Sequence, residues 1–324
     1  MNVLWRNTTG SEAAKEKTHL LDEGINLKVD TDRESSRQYF DWIDVLVDGN
    51  PGEEALSAPN LKHVIVPFVG INQDLREGIL KRPHLKLYNS HFNDAAVAQH
   101  AVALLLAVSN HIPEANTALH KGDWLYHQME PVHSVFLEDK ICLLLGYGAI
   151  GKATEKRVKG LGMKVTALKR SQDKSADIKI YSPEQLSDAL AEADVVVSSL
   201  PSTPETKGIL DRTAIGKMKR GGIFINVGRA DIIDQYALYE ALKSGHLFGA
   251  GLDVWWNYPK GKEARKHTFP SDAPLHELSN LVMSPHRAAA VQDWQEASFI
   301  DTAKTINAIA KEESRNEVDP NKGY

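Results

Sequence analysis

Short hydrophobic runs recur along the first third of the chain and alternate with polar, helix-forming stretches such as residues 11–22. Each run has the length of a buried β-strand. Alternating strands and helices are typical of a parallel sheet that is covered by helices on both faces. The pattern therefore predicts a first α/β unit with strands at residues 3–5, 25–29, 45–47, 64–66 and 85–87.

Residues 94–121 have the hydrophobic period of a helix, which could connect two domains. Its apolar stripe consists of Val97, Ala101, Leu104, Leu105 and Val108. Pro113 has no backbone N–H and its ring clashes with the preceding turn. We therefore expect the helix to end or bend at Pro113, with a second helix over residues 113–120.

A second series of strands and helices begins after this helix. Its hydrophobic runs predict strands at residues 141–145, 164–168, 195–200, 222–227, 249–254 and 281–283. Its helices are predicted at residues 149–161, from Ser182 onward, and from Asp234 to near Gly245. Ser182 and Gln185 have the spacing of a capping box, and Asp234 is a typical N-cap residue. A last helix, at about residues 290–311, follows the second series, so we expect it to pack on the first unit.

The strand at residues 141–145 is followed at once by Gly146, Gly148 and Gly151, in the spacing G-x-G-x-x-G, and then by a helix. The first glycine allows a sharp turn, the second lets backbone approach a pyrophosphate, and the third lets helix and strand pack closely. The helix N-terminus then faces the anion. This order predicts a dinucleotide-binding site. The alternative is an ordinary turn between a strand and a helix.

The composition sets the broad class of protein. A chain of 324 residues predicts two domains, and a hydrophobic content of 42% is enough for ordinary cores. The net charge of -5 gives no reason to expect a nucleic-acid partner. Cys142 is the one cysteine, which excludes a disulfide framework and a cysteine-based zinc site, and we expect no metal.

The amino-terminal sequence MNVLWRN lacks the hydrophobic segment of a signal peptide. The longest hydrophobic run, at residues 101–108, is too short to span a bilayer. We therefore expect a cytoplasmic protein without a membrane partner.

Three polar residues lie at or just after the ends of predicted strands of the second unit, where ligands of such sheets bind. Arg229 could grip a carboxylate with two parallel hydrogen bonds. His286 could pass a proton to or from a hydroxyl or carbonyl near neutral pH. Asp253 could contact a cofactor amide or cap a loop. Simpler interpretations also exist, because an arginine can form a surface ion pair and most of the 13 histidines must have structural or surface places.

The stretches around these residues resemble the D-isomer-specific 2-hydroxyacid dehydrogenase family, and the resemblance covers most of the chain. It is clearest from residue 64 to residue 286 and includes the carboxyl-terminal sequence VDPNKGY. The matching stretches are VGIN at 69–72, VAQHAVALLLA at 97–107, GYGAIG at 146–151, ADVVVSSLPSTPET at 193–206, INVGRADIID at 225–234, GAGLDV at 249–254 and SPH at 284–286.

The resemblance implies two doubly wound parallel-sheet domains, with a Rossmann cofactor domain inserted into a flavodoxin-like substrate domain. The substrate domain would comprise residues 1–94 and 291–324, and the NAD(P)-binding domain residues 95–290. The family commonly forms homodimers through the cofactor domain. Here the helical region at residues 94–121 would contribute to that contact.

The resemblance also implies site roles. Arg229 would bind the carboxylate and carbonyl of the substrate, His286 would be the acid and base, and Asp253 would lie near the nicotinamide carboxamide. Backbone N–H groups around Val69 and Gly70 would hold the substrate carboxylate too. Further cofactor contacts are implied at Gly146, Gly148, Ala149, Ile150, Gly151, Pro201, Thr206 and Val227.

The chain departs from the family pattern beside the acid/base histidine. A glutamate usually lies five positions after the aspartate and hydrogen-bonds the histidine, but this chain has Tyr258 there. A carboxylate would raise the pKa of His286, whereas a phenol can orient the ring without adding charge at neutral pH. Glu263 or Asp272, in the lengthened loop that follows, could take the place of the missing glutamate.

A second departure lies after the strand at residues 164–168. An NAD enzyme usually has an acidic residue there for the ribose hydroxyls, but this chain has Lys169, Arg170 and Ser171. Two cations and a hydroxyl suit a 2′-phosphate, so the sequence favours NADP over NAD. The alternative is a solvated basic turn that accepts NAD, with Asp173 close enough to hold the ribose.

These residues predict an oxidoreductase that transfers hydride between NAD(P)H and a small 2-keto acid or D-2-hydroxy acid, similar to a glyoxylate or hydroxypyruvate reductase. The alternative is a module that senses NAD(P)H or recruits a partner, with weak turnover. The absence of the usual glutamate favours the alternative, and the presence of both Arg229 and His286 favours the enzyme.

Overall fold

The computed structural model describes residues 1–127, 133–170 and 176–321. The chain forms two compact units. The first comprises residues 1–93 together with the segment from residue 289 onward, and the second comprises residues 94–288. The second unit is thus inserted into the sequence of the first. Each unit has its own parallel sheet with helices around it, which confirms the predicted fold class.

The first segment of the chain contributes five strands and three helices to the first unit. The strands are β1 (Asn2–Trp5), β2 (Asn26–Val29), β3 (Val45–Val47), β4 (His63–Ile65) and β5 (Lys86–Tyr88). The helices are α1 (Ser11–Glu16), α2 (Gly52–Leu56) and α3 (Gln73–Leu80). The strands lie within one residue of the hydrophobic runs, and β1, β3 and β4 are the most deeply buried of them.

The second unit follows without interruption. Its helices are α4 (Asp94–Ser109), α5 (Ile112–Leu119), α6 (Ala149–Lys159), α7 (Leu186–Glu192), α8 (Arg212–Lys217) and α9 (Gln235–Lys243). Its strands are β6 (Ile141–Leu145), β7 (Lys164–Leu168), β8 (Lys179–Tyr181), β9 (Val195–Ser198), β10 (Gly222–Asn226), β11 (Leu247–Leu252) and β12 (Leu281–Met283).

Within the described part of the second unit, these seven strands form one parallel sheet in the order β12-β11-β10-β9-β6-β7-β8. The chain order reverses between β6 and β9, which is the position where doubly wound sheets bind ligands. The glycine turn follows β6 and therefore lies at this point. Leu143, Val196 and Phe224 from three adjacent strands belong to the buried core of the unit.

The last segment of the chain returns to the first unit as α10 (Trp294–Ala310) and β13 (Glu317–Val318). The first sheet has the order β13-β5-β4-β3-β1-β2, and only β13 is antiparallel to its neighbour. Phe299 and Ile306 of α10 share a core with Trp5 and Val47. The last helix thus packs on the first unit, as the sequence predicts.

The prediction for residues 94–121 needs a correction, because the helix breaks before Pro113 and not at it. α4 ends at Ser109, and His111 has a left-handed φ of 52°. The ring of a proline clashes with the carbonyl four residues earlier, which here belongs to Ser109. The break must therefore come before the proline, and Pro113 lies in the first turn of α5.

Other predicted boundaries also shift. The helix predicted at residues 11–22 ends at Glu16, and the last helix begins at Trp294 and not near residue 290. The strand predicted at residues 249–254 is displaced to Leu247–Leu252. The short edge strands β8 and β13 were not predicted.

No single helix in the described ranges is long and apolar enough to cross a membrane. α4 and α5 meet the length and composition of a span only when they are taken together, and they are bent by 62° at their junction. The apolar stripe of α4 lies in the core of the second unit, where Leu104 and Leu105 are buried.

Candidate active site

The parallel strands of the second unit end along one edge of its sheet. The register pairs Leu145 with Ser198, Ser198 with Asn226, and Asn226 with Leu252, which in turn pairs with Met283. The residues that follow these five strand ends are therefore neighbours. They include the glycine turn and the three polar residues that the sequence singles out.

The glycine turn has the geometry that a pyrophosphate requires. Gly146 has a φ of 93°, which favours glycine, and its N–H donates to the Leu168 carbonyl oxygen at 3.2 Å. A Cβ on Gly151 would lie 2.3 Å from the Gly146 carbonyl oxygen, so a side chain there would force the helix away. A Cβ on Gly148, at the N-terminus of α6, would meet no atom within 4 Å. The turn thus offers open space and helix N–H groups, including those of Ala149 and Ile150.

Basic residues lie beside the glycine turn. Lys169 and Arg170 follow β7, and the Lys169 Nζ lies 6.0 Å from the centre of the Tyr147 ring. Lys152 Nζ lies 5.6 Å from the centre of the same ring. A tyrosine within the glycine turn is therefore flanked by two ammonium groups, one from the turn that follows β7 and one from α6.

The predicted cofactor contacts Pro201, Thr206 and Val227 lie in the loop after β9 and directly after β10. Thr206 Oγ1 donates to the Pro201 carbonyl oxygen at 2.6 Å, which closes the loop after β9 on itself. Val227 is 6% exposed at the end of β10. Ser171 and Asp173, predicted as ligands of the phosphate or ribose, lie outside the described residues.

The loop that carries Arg229 is fixed by its backbone. A Cβ on Gly228 would lie 2.5 Å from the Leu200 carbonyl oxygen, so this loop passes directly against the next strand end. The Asn226 side chain accepts a hydrogen bond from Gly228 N at 3.0 Å and donates one to the Arg229 carbonyl oxygen at 2.9 Å. Arg229 itself is exposed, and its Nη1 donates to the Gly228 carbonyl oxygen at 2.8 Å. The guanidinium therefore extends from a rigid turn.

Asp253 is 1% exposed and holds the loop that follows β12. Its Oδ1 accepts hydrogen bonds from Ser284 Oγ at 2.6 Å and from Arg287 N at 2.9 Å. Its Oδ2 accepts one from Ala288 N at 2.9 Å. These donors lie on both sides of His286, so one carboxylate clamps the backbone before and after the histidine. A contact between Asp253 and a nicotinamide carboxamide stays a prediction.

His286 lies against Tyr258, the residue that replaces the family glutamate. The Tyr258 Oη is 2.8 Å from His286 Nδ1, and the Trp255 N–H donates to the same Oη at 3.2 Å. Because the oxygen already accepts from Trp255, the phenol hydrogen can be donated to Nδ1. In neutral His286 the proton would then be on Nε2, the nitrogen that remains for a reacting group.

The surroundings lower the pKa of His286. Burial is the largest cause, the Asp253 carboxylate opposes it, and the positive charge of Arg229 adds to it. Burial raises the pKa of Tyr258, while the Trp255 N–H and Arg229 act in the opposite direction. The phenol is therefore neutral at neutral pH, and the His286 imidazolium forms only at a lower pH than in a free histidine.

Neither carboxylate that was considered as a replacement for the glutamate contacts His286. Asp272 Oδ1 accepts a hydrogen bond from Asn257 Nδ2 at 2.8 Å. Glu263 Oε2 is 3.4 Å from Lys266 Nζ, and the Glu263 side chain is 90% exposed. Tyr258 is thus the residue that the structure places on Nδ1.

Val69 and Gly70 belong to the first unit, where they follow β4 at the carboxyl edge of the first sheet. The Val69 carbonyl oxygen accepts a hydrogen bond from Asn89 Nδ2 at 3.1 Å. Asn72 caps α3 by accepting from Leu75 N at 2.8 Å. This loop is therefore held at both ends, and its role toward a substrate stays a prediction.

The sequence did not identify two residues that support the loop after β12. Trp255 Nε1 donates to the Ser284 carbonyl oxygen at 2.8 Å, and His100 Nε2 lies 2.9 Å from Ser284 Oγ. A signal for His100 was present, because this imidazole lies three residues after Val97 on the otherwise apolar face of α4. Only the structure shows what it faces.

The fold and the strand-end residues define an NAD(P)-binding α/β protein. Similarity to known proteins agrees with this class. The family model of the D-isomer specific 2-hydroxyacid dehydrogenase, NAD binding domain, matches residues 102–288. The glyoxylate reductase of Thermococcus litoralis (strain ATCC 51850 / DSM 5473 / JCM 8560 / NS-C) is 32% identical over 280 residues, which are 84% of this chain and 81% of the relative. The chain therefore belongs to the D-isomer-specific 2-hydroxyacid dehydrogenase family.

Other relatives differ in length and in named activity. The D-3-phosphoglycerate dehydrogenase of Mycobacterium tuberculosis (strain CDC 1551 / Oshkosh) is 32% identical over 265 residues, or 80% of this chain. This chain spans only 47% of that relative. The NADPH-dependent glyoxylate/hydroxypyruvate reductase from Sinorhizobium meliloti shares the fold, with a TM-score of 0.73 and 22% identity. That match covers 98% of both chains.

The Tyr258→Glu variant tests the pairing with His286. A carboxylate at this position would add a negative charge beside Nδ1 and should raise the pKa of His286. Because the imidazolium is the form below the pKa, it should persist to higher pH in this variant. An NMR titration of the His286 ring in histidine-labelled protein measures the midpoint. Tyr236→Glu, a change at an exposed tyrosine of α9, should leave the midpoint where it is. An equal midpoint in both variants would contradict the pairing.

Proposed function

We propose that the protein is an NAD(P)-dependent D-2-hydroxyacid dehydrogenase that interconverts small 2-keto acids and D-2-hydroxy acids. The observation that carries the proposal is the placement of Arg229 and His286 at strand ends of one sheet, beside the glycine turn. Arg229 is close enough to His286 to lower its pKa electrostatically. One site thus combines a group that binds a carboxylate with a group that transfers a proton.

The residues around the glycine turn fit the cofactor. Gly146, Gly148 and Gly151 would hold the pyrophosphate against the N-terminus of α6, where a Cβ at the central glycine would meet no atom. When bound, the nicotinamide ring supplies the hydride acceptor or donor. Lys169 and Arg170 would contact the 2′-phosphate of NADP, so we propose NADP as the preferred cofactor, with NAD as the alternative.

The substrate would be held by its carboxylate. The guanidinium of Arg229 presents parallel N–H groups that match a carboxylate, and its charge would also polarise the neighbouring carbonyl. Backbone N–H groups of Val69 and Gly70 would give the second contact of the carboxylate. Both elements recognise the part that all 2-keto acids share, which leaves the side chain of the substrate unspecified.

His286 would move the proton. In reduction the imidazolium would protonate the oxygen that develops on the substrate, and in oxidation the neutral ring would accept the hydroxyl proton. Since burial lowers the pKa of His286, reduction should fade as the pH rises through that lowered pKa. Oxidation should increase over the same range, because the neutral base becomes available. Tyr258 would hold the ring through Nδ1 in both directions.

A panel of 2-keto acids assayed with both NADPH and NADH tests the proposed function. Glyoxylate and hydroxypyruvate are the first choices, because the relatives from Thermococcus litoralis and Sinorhizobium meliloti carry those substrates in their names. The keto acid of 3-phosphoglycerate should be included, because of the Mycobacterium relative. Cofactor binding without turnover of any member would instead support a sensing or partner-binding module.

Replacing Arg229 by lysine should lower kcat/KM for 2-keto acids by roughly tenfold or more, since a factor of ten corresponds to about 1.4 kcal/mol. Lysine keeps the charge but loses the two parallel hydrogen bonds. Steady-state kinetics with the best substrate of the panel measure the loss. The Arg212→Lys variant, at an exposed arginine of α8, serves as the control. Near-normal activity of Arg229→Lys would mean that another cation holds the carboxylate.

Replacing Arg170 by alanine should weaken NADPH binding far more than NADH binding, because a charge-assisted contact with the 2′-phosphate is lost. Fluorescence titration of the two reduced cofactors gives the ratio of their dissociation constants. The Arg220→Ala variant should leave this ratio unchanged. An equal loss for both cofactors would remove Arg170 from the 2′-phosphate site.

We also propose a homodimer, formed through the second unit, whose exposed apolar side chains include Ile112, Leu119, Trp124, Leu125 and Phe136. These side chains are 50–75% exposed, which is costly for residues of this size in a monomer. Phe136→Asp should raise the dimer dissociation constant by about tenfold or more in sedimentation velocity. Leu80→Asp, at an exposed leucine of the first unit, should have no such effect. A monomeric unmodified protein would contradict the proposal.

A further inference from the structure

His100 lies against the loop that follows β12 and carries His286, and two glycines of β11 determine its position. A Cβ on Gly249 would lie 2.8 Å from Val108 Cγ1, and a Cβ on Gly251 would lie 2.9 Å from Leu104 Cβ. Helix α4 therefore lies directly on strand β11. α4 and β11 run in opposite directions past these contacts. His100 lies one helical turn before Leu104, and Asp253 lies two residues after Gly251, so the same register brings His100 to Asp253.

The contacts of His100 agree with this register. Its Nε2 lies 2.9 Å from Ser284 Oγ and 3.4 Å from Asp253 Oδ1. The Ser284 hydroxyl donates its own hydrogen to Asp253 Oδ1 at 2.6 Å, so its oxygen is left to accept. His100 is therefore the donor in the first contact, through an Nε2–H.

We propose that His100 is a positioning residue for His286, acting through the pair formed by the Ser284 hydroxyl and the Asp253 carboxylate. The proposal rests on the proposed function, in which His286 transfers the proton. His100 orients the hydroxyl, the hydroxyl and two backbone N–H groups hold the carboxylate, and the carboxylate holds the loop. No contact between His100 and a reacting atom is part of the proposal.

The loop needs such support because the backbone of His286 is strained. Its φ is 54°, in the left-handed region that residues with a Cβ rarely adopt. Conformations of this kind persist only where the surrounding structure determines them, and they concentrate at functional sites. The donors from Arg287 and Ala288 hold one side of the strained residue, and Ser284 holds the other. His100 reinforces the Ser284 side.

The proposal also has an electrostatic consequence. The charged or titratable groups that act on the His286 ring are Asp253, Arg229 and Tyr258. Asp253 favours the imidazolium, whereas Arg229 and burial oppose it. Removal of His100 would loosen the clamp and change the positions of Asp253 and Arg229 relative to the His286 ring. The pKa of His286 should then shift from its value in the unmodified protein.

Three variants test His100. His100→Leu removes the donor, and His100→Gln keeps an N–H at a similar distance from the backbone. His84→Leu changes an exposed histidine of the first unit and serves as the control. We expect His100→Leu to lower kcat by roughly tenfold, in the range that small misplacements of catalytic groups produce. KM for the reduced cofactor should change little, and His100→Gln should recover most of kcat. If His100→Leu does not fold, His100→Ala removes the same donor without added bulk.

The second readout is the NMR titration of the His286 ring, which needs no substrate. His100→Leu should shift the midpoint, while His100→Gln and His84→Leu should leave it in place. An unmoved midpoint with normal kcat would overturn the proposal, and so would a His100→Gln variant as impaired as His100→Leu. If no 2-keto acid is reduced by the unmodified protein, the proposed function fails. The titration would still decide whether His100 positions His286.

Discussion

The buried carboxylate of Asp253 is the constraint on which the site depends. A charged group that is 1% exposed must be fully hydrogen-bonded, because removal of a carboxylate from water is costly unless donors replace the water. The donors come from the Ser284 hydroxyl and from the backbone of Arg287 and Ala288. The bonds that satisfy the carboxylate therefore also fix the loop that carries His286. The stability of the fold and the position of the histidine depend on the same contacts.

The electrostatic character of the site follows from one uncharged neighbour. Tyr258 gives Nδ1 of His286 a hydrogen-bond partner without a negative charge. The proton affinity of the ring is then set by burial, by Asp253 and by Arg229, and the lowering effects dominate. In the proposed function, a site without the negative charge of a glutamate would attract an anionic substrate more strongly, because less of the field of Arg229 is cancelled. It would also retain the proton for reduction less readily. A tyrosine in place of the glutamate would thus affect substrate attraction and proton supply in opposite directions.

The parts of the molecule that depend on local pattern could be predicted. Strands buried on both faces are continuous hydrophobic runs, so β6 and β10 were found with nearly correct boundaries. The glycine spacing after β6 located the turn, and strand ends located Arg229 and His286. The edge strand β8 was missed because its three residues are Lys, Ile and Tyr, which form no hydrophobic run. A short strand at a sheet edge needs less burial and leaves a weaker signal.

Contacts between distant parts of the chain could not be predicted. His100 and Ser284 are 184 residues apart in sequence, and nothing in either stretch indicates the other. The partner of His286 could be narrowed to Tyr258, Glu263 or Asp272, but the choice depends on the path of a loop. That path is set by contacts such as the Asn257 side chain with Asp272. The sequence pattern indicates which face of a helix or strand is buried. Which residue of another element contacts that face depends on the tertiary fold.

Glycines explain why the edge of the second sheet where its parallel strands end can hold polar groups in fixed positions. Gly151, Gly228 and Gly251 each bring backbone or a neighbouring element to a distance that a Cβ would not allow. Elements that pack at such distances have little freedom to shift, because no flexible side chain lies between them. Side chains such as Arg229 project from this frame. A reacting acid must be held within a fraction of an ångström but must still meet its substrate. A frame of close backbone contacts, with exposed side chains at the strand ends, satisfies both conditions.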